Sequence, residues 1–432
     1  MSGNVSVDAK VGDDGSLMAF FKDMNTPERR TFWGCFAGWS LDGMDFMMYP
    51  LVLGTLIGLW GIERDYAGFV ASLTIITSAF GGWFGGYIAD RIGRVTVIKF
   101  SILWFSFFSV LCAFAQDFTE LAIYRAMLGF GFGAEWSAGA ILIGETVKAK
   151  YRGRAVGCVQ SGWSIGWGAA AIIQVIVYTI APEEYAWRLM FLVGGLPAFL
   201  VFYLRRYVPE PQISKKARER MSQNRDYPSI FEIFKPKILK TTLIASLLTT
   251  GATGGYFAVN TWLPTYLSND RGLSVVQSAG FLVFLIFGSF LGFLFGAWFA
   301  DRFGRRKLFM FFAVSASTVV VAYTQLPISN QVMFFLGFPL GFVSTGHFSG
   351  MGPILSELYP TRLRGSGQGF TYNFGRGLGA FFPGLVGALS LILPLGTAMS
   401  IFAVLSYGLF FIAAFILPET SGTELTLDET TV

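Results

Sequence analysis

The sequence contains little charge, a single histidine and few cysteines. Charged residues make up 14% of its 432 positions, against ~25% in soluble domains, which disfavours a soluble multidomain protein or a nucleic-acid-binding protein. The three cysteines, Cys35, Cys112 and Cys158, stand singly inside apolar stretches. Their spacing predicts neither a disulfide framework nor a metal site.

Motifs for catalysis and nucleotide binding are also missing. The sequence has no phosphate-binding P-loop, no H-E-x-x-H motif and no legible Ser-His-acid set. The G-x-G-x-G run at 129–133 lies inside an apolar stretch rather than after a strand, so it does not predict dinucleotide binding. The first 30 residues show neither the apolar core nor the cleavage site of a signal peptide. We therefore expect a protein that is not an enzyme and uses no cofactor.

Apolar segments dominate what is present. Apolar residues make up 53% of the chain, which includes 46 Phe and 52 Gly. A helix needs ~20 predominantly apolar residues to cross a bilayer, and the chain offers twelve such segments. They lie at about 31–60, 66–89, 96–116, 119–147, 155–181, 187–207, 238–267, 274–300, 308–325, 330–356, 365–391 and 394–417. The composition therefore predicts an all-α integral membrane protein.

A long polar stretch divides these segments into two sets of six. The predicted organisation is a tail at 1–30, a six-helix bundle at 31–207, a linker at 208–237, a second six-helix bundle at 238–417 and a tail at 418–432. Of the 32 Lys and Arg residues, nearly all fall in the first tail, the linker and the loops after even-numbered segments. Because positive charge accumulates on the cytoplasmic side of membrane proteins, both tails and the linker are predicted to be cytoplasmic.

The two halves repeat one another. Residues 85–94, with the sequence GGYIADRIGR, are echoed 211 positions later by GAWFADRFGR at 296–305. A second pair of corresponding marks, Glu145 and Glu357, is 212 positions apart. Near-equal offsets predict a parallel six-plus-six repeat, the architecture of transporters that bind substrate between two bundles.

The paired D-R-x-G-R loops resemble those of the major facilitator superfamily, and the resemblance covers essentially the whole chain. It implies twelve transmembrane helices in two six-helix bundles and function as a monomer. An acid such as Asp90 can cap a neighbouring helix while arginines engage carboxylates across the cytoplasmic face; the alternative is that the arginines only set topology. The predicted gating latch comprises Gly86, Asp90, Arg91, Arg94, Glu145, Arg152, Asp301, Arg302, Arg305, Glu357 and Arg364.

Four ionisable residues in the first half predict a proton-coupling site. Arg125 lies inside a membrane segment and needs a carboxylate, because an unpaired charge at that depth is costly. Asp42 and Asp45, three positions apart on one helix face, and Glu135 supply it. Two such close carboxylates cannot both ionise easily, so at least one is expected to carry a translocated proton. The alternative is a static pair of Asp45 with Arg125.

The first-helix sequence D-G-x-D resembles proton symporters for aromatic acids and for sialate and lactate, and the stretch 133–139 resembles the sialate and lactate branch more closely. In the second half Arg376 has no neighbouring acid in its own bundle, so a substrate carboxylate could neutralise it bidentately; pairing across the halves with Asp42 or Glu135 is the alternative. The predicted substrate contacts are Arg376, Asn373, Tyr372, His347, Gln160, Trp163, Asn260 and Tyr256.

These features predict a secondary active transporter. We expect proton-coupled uptake of a small organic acid anion, a monocarboxylate, by alternating access, in the lipid bilayer of a bacterial inner membrane. A passive facilitator or uniporter, or a carrier of another small solute without proton coupling, is the alternative. The only histidine, His347, could relay protons or satisfy a helix carbonyl. Aromatic, sialic, lactate-like and dicarboxylic acids all remain open as substrates.

Overall fold

Helices occupy all twelve predicted segments. The computed structural model describes residues 19–62, 64–148, 151–224, 229, 231–273 and 275–421, so most of the two predicted tails lies outside the described residues. In the first half the helices are α1 (Ala19–Asp23), α2 (Thr26–Trp60), α3 (Arg64–Ile92), α4 (Arg94–Cys112), α5 (Phe118–Thr146), α6 (Arg152–Gln160), α7 (Gly162–Ile180), α8 (Glu183–Val193) and α9 (Leu200–Tyr207).

The second half repeats this order after a linker helix. Its helices are α10 (Gln212–Asn224) in the linker, then α11 (Pro236–Asn260), α12 (Leu263–Thr265), α13 (Val275–Phe303), α14 (Arg305–Gln325), α15 (Asn330–Thr345), α16 (Phe348–Leu358), α17 (Arg364–Gly379), α18 (Phe381–Leu389) and α19 (Leu395–Ile416). The fifth, sixth, seventh, tenth and eleventh predicted segments are therefore each formed by two consecutive helices. The fold is the expected pair of six-helix bundles in a parallel repeat.

Local sequence explains where several helices begin. Asn25 caps α2: its side chain accepts from the Glu28 N–H at 2.9 Å, and the Glu28 carboxylate accepts from the Asn25 N–H at 2.8 Å, which is a capping box. Gly93 and Gly304 precede α4 and α14 with φ of 109° and 98°. Residues other than glycine rarely adopt this backbone conformation. The turn therefore requires the glycine of each D-R-x-G-R loop.

Two Gly-rich helices bring the bundles together. A Cβ atom on Gly86 of α3 would lie 2.2 Å from the carbonyl oxygen of Gly365 in α17, so only glycine allows this approach. The contact is near the end of the molecule that carries Arg94, Arg152 and Arg305, here called the basic face. Both bundles therefore meet closely at the basic face.

Hydropathy alone finds ten helices or helix pairs that are long and apolar enough to cross a membrane, among the described residues. The pair α17 and α18 is less apolar, since Gly, Asn373 and Arg376 occupy positions in α17 at the contact between the bundles. A buried interface needs close approach rather than apolar bulk.

Candidate functional site

A cavity lies between the two bundles. Its lining comes from α2, α6 and α7 of the first bundle and from five helices of the second, α11, α13, α15, α16 and α17. The lining residues are Trp39, Gln160, Trp163, Thr253, Tyr256, Phe257, Phe293, Thr345, Phe348, Tyr372 and Arg376. Because both bundles contribute, any rocking of one bundle against the other changes the cavity.

Helix breaks adjoin this cavity. Gln160 is the last residue of α6, and Trp163 lies in the first turn of α7; Thr345 ends α15, and Phe348 begins α16. Irregular backbone at membrane depth is tolerated where it is buried in protein or lines a cavity. The side chains at these breaks are consequently available to contact a ligand.

Arg376 supplies positive charge to the cavity. Its side chain is 4% exposed, and its Nη1 atom has no hydrogen-bond partner in the described part of the chain. The guanidinium carbon lies 4.6 Å from the ring centroid of Phe132 and 5.5 Å from that of Phe46. Asp42 interacts with it electrostatically, but no ion pair within 4 Å joins Arg376 to a described carboxylate. A buried cation without a close counter-ion suits an anionic ligand.

Aromatic rings form the walls around this charge. Trp136 stacks on Tyr372 across the bundle interface, with ring centroids 3.4 Å apart and planes 15° apart. The Trp39 ring lies 5.2 Å from the Trp163 ring and 6.2 Å from the Trp136 ring. Flat apolar walls with a few polar groups are typical of sites for small organic ligands.

The acids of the first bundle form two separate groups. The carboxyl groups of Asp42 and Glu135 interact with each other, and both side chains are buried. Two ionised carboxylates repel each other and offer no donor, so one shared proton would let the pair hydrogen-bond. Asp42 also interacts electrostatically with Arg376 and with Asp45. The Asp42–Glu135 pair therefore lies between a third acid, Asp45, and the cavity cation, Arg376.

Asp45 belongs to the second group. One of its carboxylate oxygens accepts a hydrogen bond from the Ser109 hydroxyl, and the other lies 3.9 Å from Nη1 of Arg125. The Arg125 guanidinium carbon is 5.1 Å from the Tyr49 ring centroid. No hydrogen bond joins Arg125 Nη1 or Asp45 Oδ2 to a described residue. The ion pair expected from the sequence is present, and its geometry is loose.

A network at the basic face joins the N-terminal bundle to α17. Asp90 Oδ2 accepts from the backbone N–H of Ser366 at 3.0 Å, in the first turn of α17, and Asp90 Oδ1 lies 2.9 Å from Arg94 Nη2. Glu145 Oε1 lies 3.5 Å from Arg94 and 3.1 Å from Arg364. These side chains are buried, and two of the contacts cross between the bundles.

The second repeat builds the matching network. Asp301 Oδ2 accepts from the backbone N–H of Arg154 at 2.8 Å, and Asp301 Oδ1 lies 2.9 Å from Arg305. Glu357 Oε1 lies 3.2 Å from both Arg305 and Arg152. The internal repeat of the sequence therefore appears as two equivalent charge networks at the basic face.

A match to a family profile and a shared fold identify the chain. The profile of the Major Facilitator Superfamily matches residues 35–384. The chain belongs to this superfamily. A "Probable 4-methylmuconolactone transporter" of Cupriavidus pinatubonensis is 36% identical over 94% of each chain, and a "Sialic acid transporter NanX" of Escherichia coli is 27% identical over 89% of this chain and 93% of the relative. The proton:xylose symporter XylE has the same fold, with a TM-score of 0.78 at 17% identity over 92% of this chain and 98% of that chain.

Five of the predicted substrate contacts line the cavity of this superfamily member, and three do not. Asn373 instead donates to the Ser137 hydroxyl at 2.9 Å, which ties α17 to α5. Asn260 donates to the Tyr256 carbonyl at 3.0 Å. His347 is fully buried, and its ring lies 4.3 Å from that of Phe348 and 5.1 Å from that of Phe410. It lies at the α15–α16 break next to Phe348, which itself lines the cavity.

Six of the lining residues are not among the contacts that the sequence predicts. They are apolar, aromatic or hydroxyl side chains, the types that also face lipid and neighbouring helices throughout the chain. Of these Trp39 had an available signal, since it precedes Asp42 by one helical turn and so shares its face. The other five are Thr253, Phe257, Phe293, Thr345 and Phe348.

Two of the predicted latch arginines are exposed. Arg91 is exposed, with its guanidinium carbon 4.4 Å from the Tyr87 ring centroid, and Arg302 is exposed next to Trp298 at 5.9 Å. The residue that begins the next helix, Arg94 or Arg305, makes the buried ion pairs in each repeat. Gating effects are expected from Arg94 and Arg305, because both make buried ion pairs within the networks.

Breaking one bundle-to-bundle pair tests the latch. Arg152→Gln and Glu357→Gln are each expected to change the initial uptake rate and lower the melting temperature, because each leaves a buried charge without this partner. The loss of stability in the double variant is expected to be ~0.5–3 kcal/mol smaller than the sum of the two single losses, because both substitutions remove the same ion pair. The exposed Arg205→Gln serves as control. Additive effects, or a change of substrate selectivity, would contradict a latch.

Proposed function

We propose that the protein is a proton-coupled symporter that takes up a small monocarboxylate by alternating access. The observation that carries the proposal is Arg376, a buried cavity cation with no ion pair to a described carboxylate, facing the Asp42–Glu135 carboxyl pair. Two relatives of the chain, named as a probable 4-methylmuconolactone transporter and a sialic acid transporter, support an organic acid as the substrate.

The cycle follows from compensating these charges in turn. A substrate carboxylate neutralises Arg376, and this removes the electrostatic attraction between Arg376 and Asp42. Asp42 then holds a proton with Glu135 more readily, since a nearby cation favours the ionised form. Proton and anion thus promote each other's binding, which is the thermodynamic requirement for coupling. One proton with one monoanion moves no net charge, so the pH gradient drives uptake.

Orientation and location are part of the proposal. The basic face carries the arginines of both charge networks, and the positive-inside rule assigns such a face to the cytoplasm. We place the protein in a bacterial inner membrane, with both tails cytoplasmic, functioning as a monomer. In the described conformation the networks join the two bundles at the basic face.

Reconstitution into liposomes tests this function. The measurement is uptake of labelled benzoate, lactate, sialic acid and 4-methylmuconolactone, with the outside at pH 5.5 or at the internal pH 7.5. We expect concentrative uptake of at least one acid only when the outside is more acidic, and collapse of the gradient by a protonophore. Flux that is saturable but unaffected by pH and never concentrative would identify a passive facilitator. No flux of any acid would remove the organic-acid assignment.

A further inference from the structure

Two hydrogen-bond donors in the cavity lack an acceptor. The indole Nε1 of Trp39 and the amide Nε2 of Gln160 have no hydrogen-bond partner within the described ranges. The two side chains are 7% and 3% exposed, and both line the cavity. An indole N–H can only donate. Leaving a buried donor without a hydrogen bond is energetically costly. Each of the two atoms therefore needs an acceptor that is not part of the described chain.

The orientation of the Gln160 amide follows from its neighbour. Trp136 Nε1 donates to Gln160 Oε1 at 3.4 Å. Because the indole cannot accept a hydrogen bond, the amide oxygen must face Trp136. The NH₂ group is then the free end of the amide. Trp39 lies against the same Trp136 ring, so the two donors flank one aromatic surface.

The Gln160 amide lies deeper towards the basic face than Arg376 does. Trp136 contacts both Gln160 and Tyr372, so these two side chains lie at the same depth. Arg376 follows Tyr372 by four residues, which places it about 6 Å further along the helix. The cavity therefore has a cation and, about one helical turn away, the Gln160 amide, and the Trp39 ring lies beside the Trp136 ring that contacts this amide.

We infer that Trp39 and Gln160 bind a second acceptor oxygen of the substrate, and that they select acids carrying one over acids that lack it. This inference rests on the proposed function, because it takes the carboxylate to lie at Arg376. The predicted substrate class is a compact, flat monocarboxylate with a carbonyl, lactone or similar acceptor oxygen about 6 Å from its carboxylate, the distance of one helical turn.

Selectivity follows from the cost of the unmade hydrogen bonds. An acid without the second oxygen excludes water from the cavity around Trp39 and Gln160 but offers neither donor an acceptor. A site built to hydrogen-bond a substrate group rejects the analogue that lacks it more strongly than an apolar pocket rejects a change of size. The aromatic walls alone would not distinguish the two kinds of acid.

A matched pair of acids tests the inference on the purified full chain. We use 4-acetylbenzoate and 4-isopropylbenzoate, which share the carboxylate, the ring and a branched substituent and differ by a ketone oxygen in place of a methyl group. Isothermal titration calorimetry is expected to give a Kd at least about tenfold lower for the acetyl acid. In Trp39→Phe and in Gln160→Met the ratio of the two Kd values is expected to fall towards one.

Trp83→Phe is the matched control. The Trp83 indole nitrogen is likewise buried without a described partner, but it lies against Phe370 and Phe234, outside the cavity. This variant is expected to keep the wild-type ratio. If Gln160→Met does not fold, Gln160→Glu, which keeps the side-chain shape and the oxygen facing Trp136, replaces it.

The outcomes separate this inference from the proposed function. Equal affinity of the wild-type protein for both acids, or an unchanged ratio in both cavity variants, overturns the donor pair and leaves the carboxylate site standing. A lost preference in Trp83→Phe also overturns it, because the effect would then be unspecific. Failure of the wild type to bind either acid contradicts the carboxylate site itself, and with it this inference.

Discussion

Replacing Arg376 with alanine is expected to weaken the apparent affinity for a carboxylate substrate by ~2–5 kcal/mol, which is roughly 30-fold to several thousandfold. The reason is that the guanidinium is buried, packs over Phe132 and Phe46 and has no ion pair with a described carboxylate. The substrate would be its counter-ion in a dry site. The measurement is the half-saturation concentration for uptake into liposomes, supported by calorimetric Kd values.

Arg376→Lys distinguishes charge from geometry. Lysine keeps the positive charge but lacks the planar fork that binds a carboxylate through two hydrogen bonds, so an intermediate loss is expected. An unchanged half-saturation concentration in Arg376→Ala would argue against contact between this side chain and the substrate. The thermal stability of each variant, measured without ligand, controls for a general loss of folding.

Asp42→Asn is expected to abolish uphill accumulation while leaving counterflow exchange in place. Asp42 and Glu135 share one proton in the proposed cycle, and asparagine can neither take up nor release it. Exchange of internal for external substrate needs no net proton movement and so continues. Glu135→Gln is expected to behave alike, because it removes the other half of the same pair. Uptake of labelled substrate with and without an imposed pH gradient measures both activities.

Asp117→Asn is the control for these substitutions. Asp117 caps α5 through the Glu120 N–H at 2.8 Å, far from the cavity, and asparagine is an equally good helix cap. Accumulation should therefore be unaffected. Full acid-driven accumulation in Asp42→Asn would remove Asp42 from the coupling site. Loss of accumulation in Asp45→Asn, but not in Asp42→Asn, would move the proton to the Arg125 group.

Much of the fold could be read from the sequence because the determinants are local. The span starting at 31 was predicted to end at residue 60, as α2 does, and the charged loops around Asp90 and Asp301 were matched by the repeat. Helix starts at the basic face differ by several residues. Arg94 and Arg305 are the first residues of α4 and α14, although charge predicted the helices to begin after them. Buried carboxylates neutralise these arginines, and a sequence pattern does not reveal that pairing.

The site was predicted in part. Charges inside apolar segments are conspicuous, and so Asp42, Asp45, Arg125, Glu135 and Arg376 could be named from the chain alone. Which acid faces which cation depends on how α2, α5 and α17 are rotated about their axes, and residue spacing within one helix carries no information on that. Neutral lining residues are harder still, since their types recur throughout a membrane protein.

The amino-acid sequence by itself determined the number of spans, the two-fold repeat, the charged loops and the set of ionisable residues buried in the membrane. These depend on segment length and on the cost of placing charge in hydrocarbon, which act on each stretch of chain separately. Only the tertiary structure decided that Asp42 meets Glu135 while Asp45 meets Arg125, that Asn373 joins two helices, and that Trp39 and Gln160 face the cavity. Contacts between helices distant in sequence arise from packing, and packing is a property of the assembled bundles.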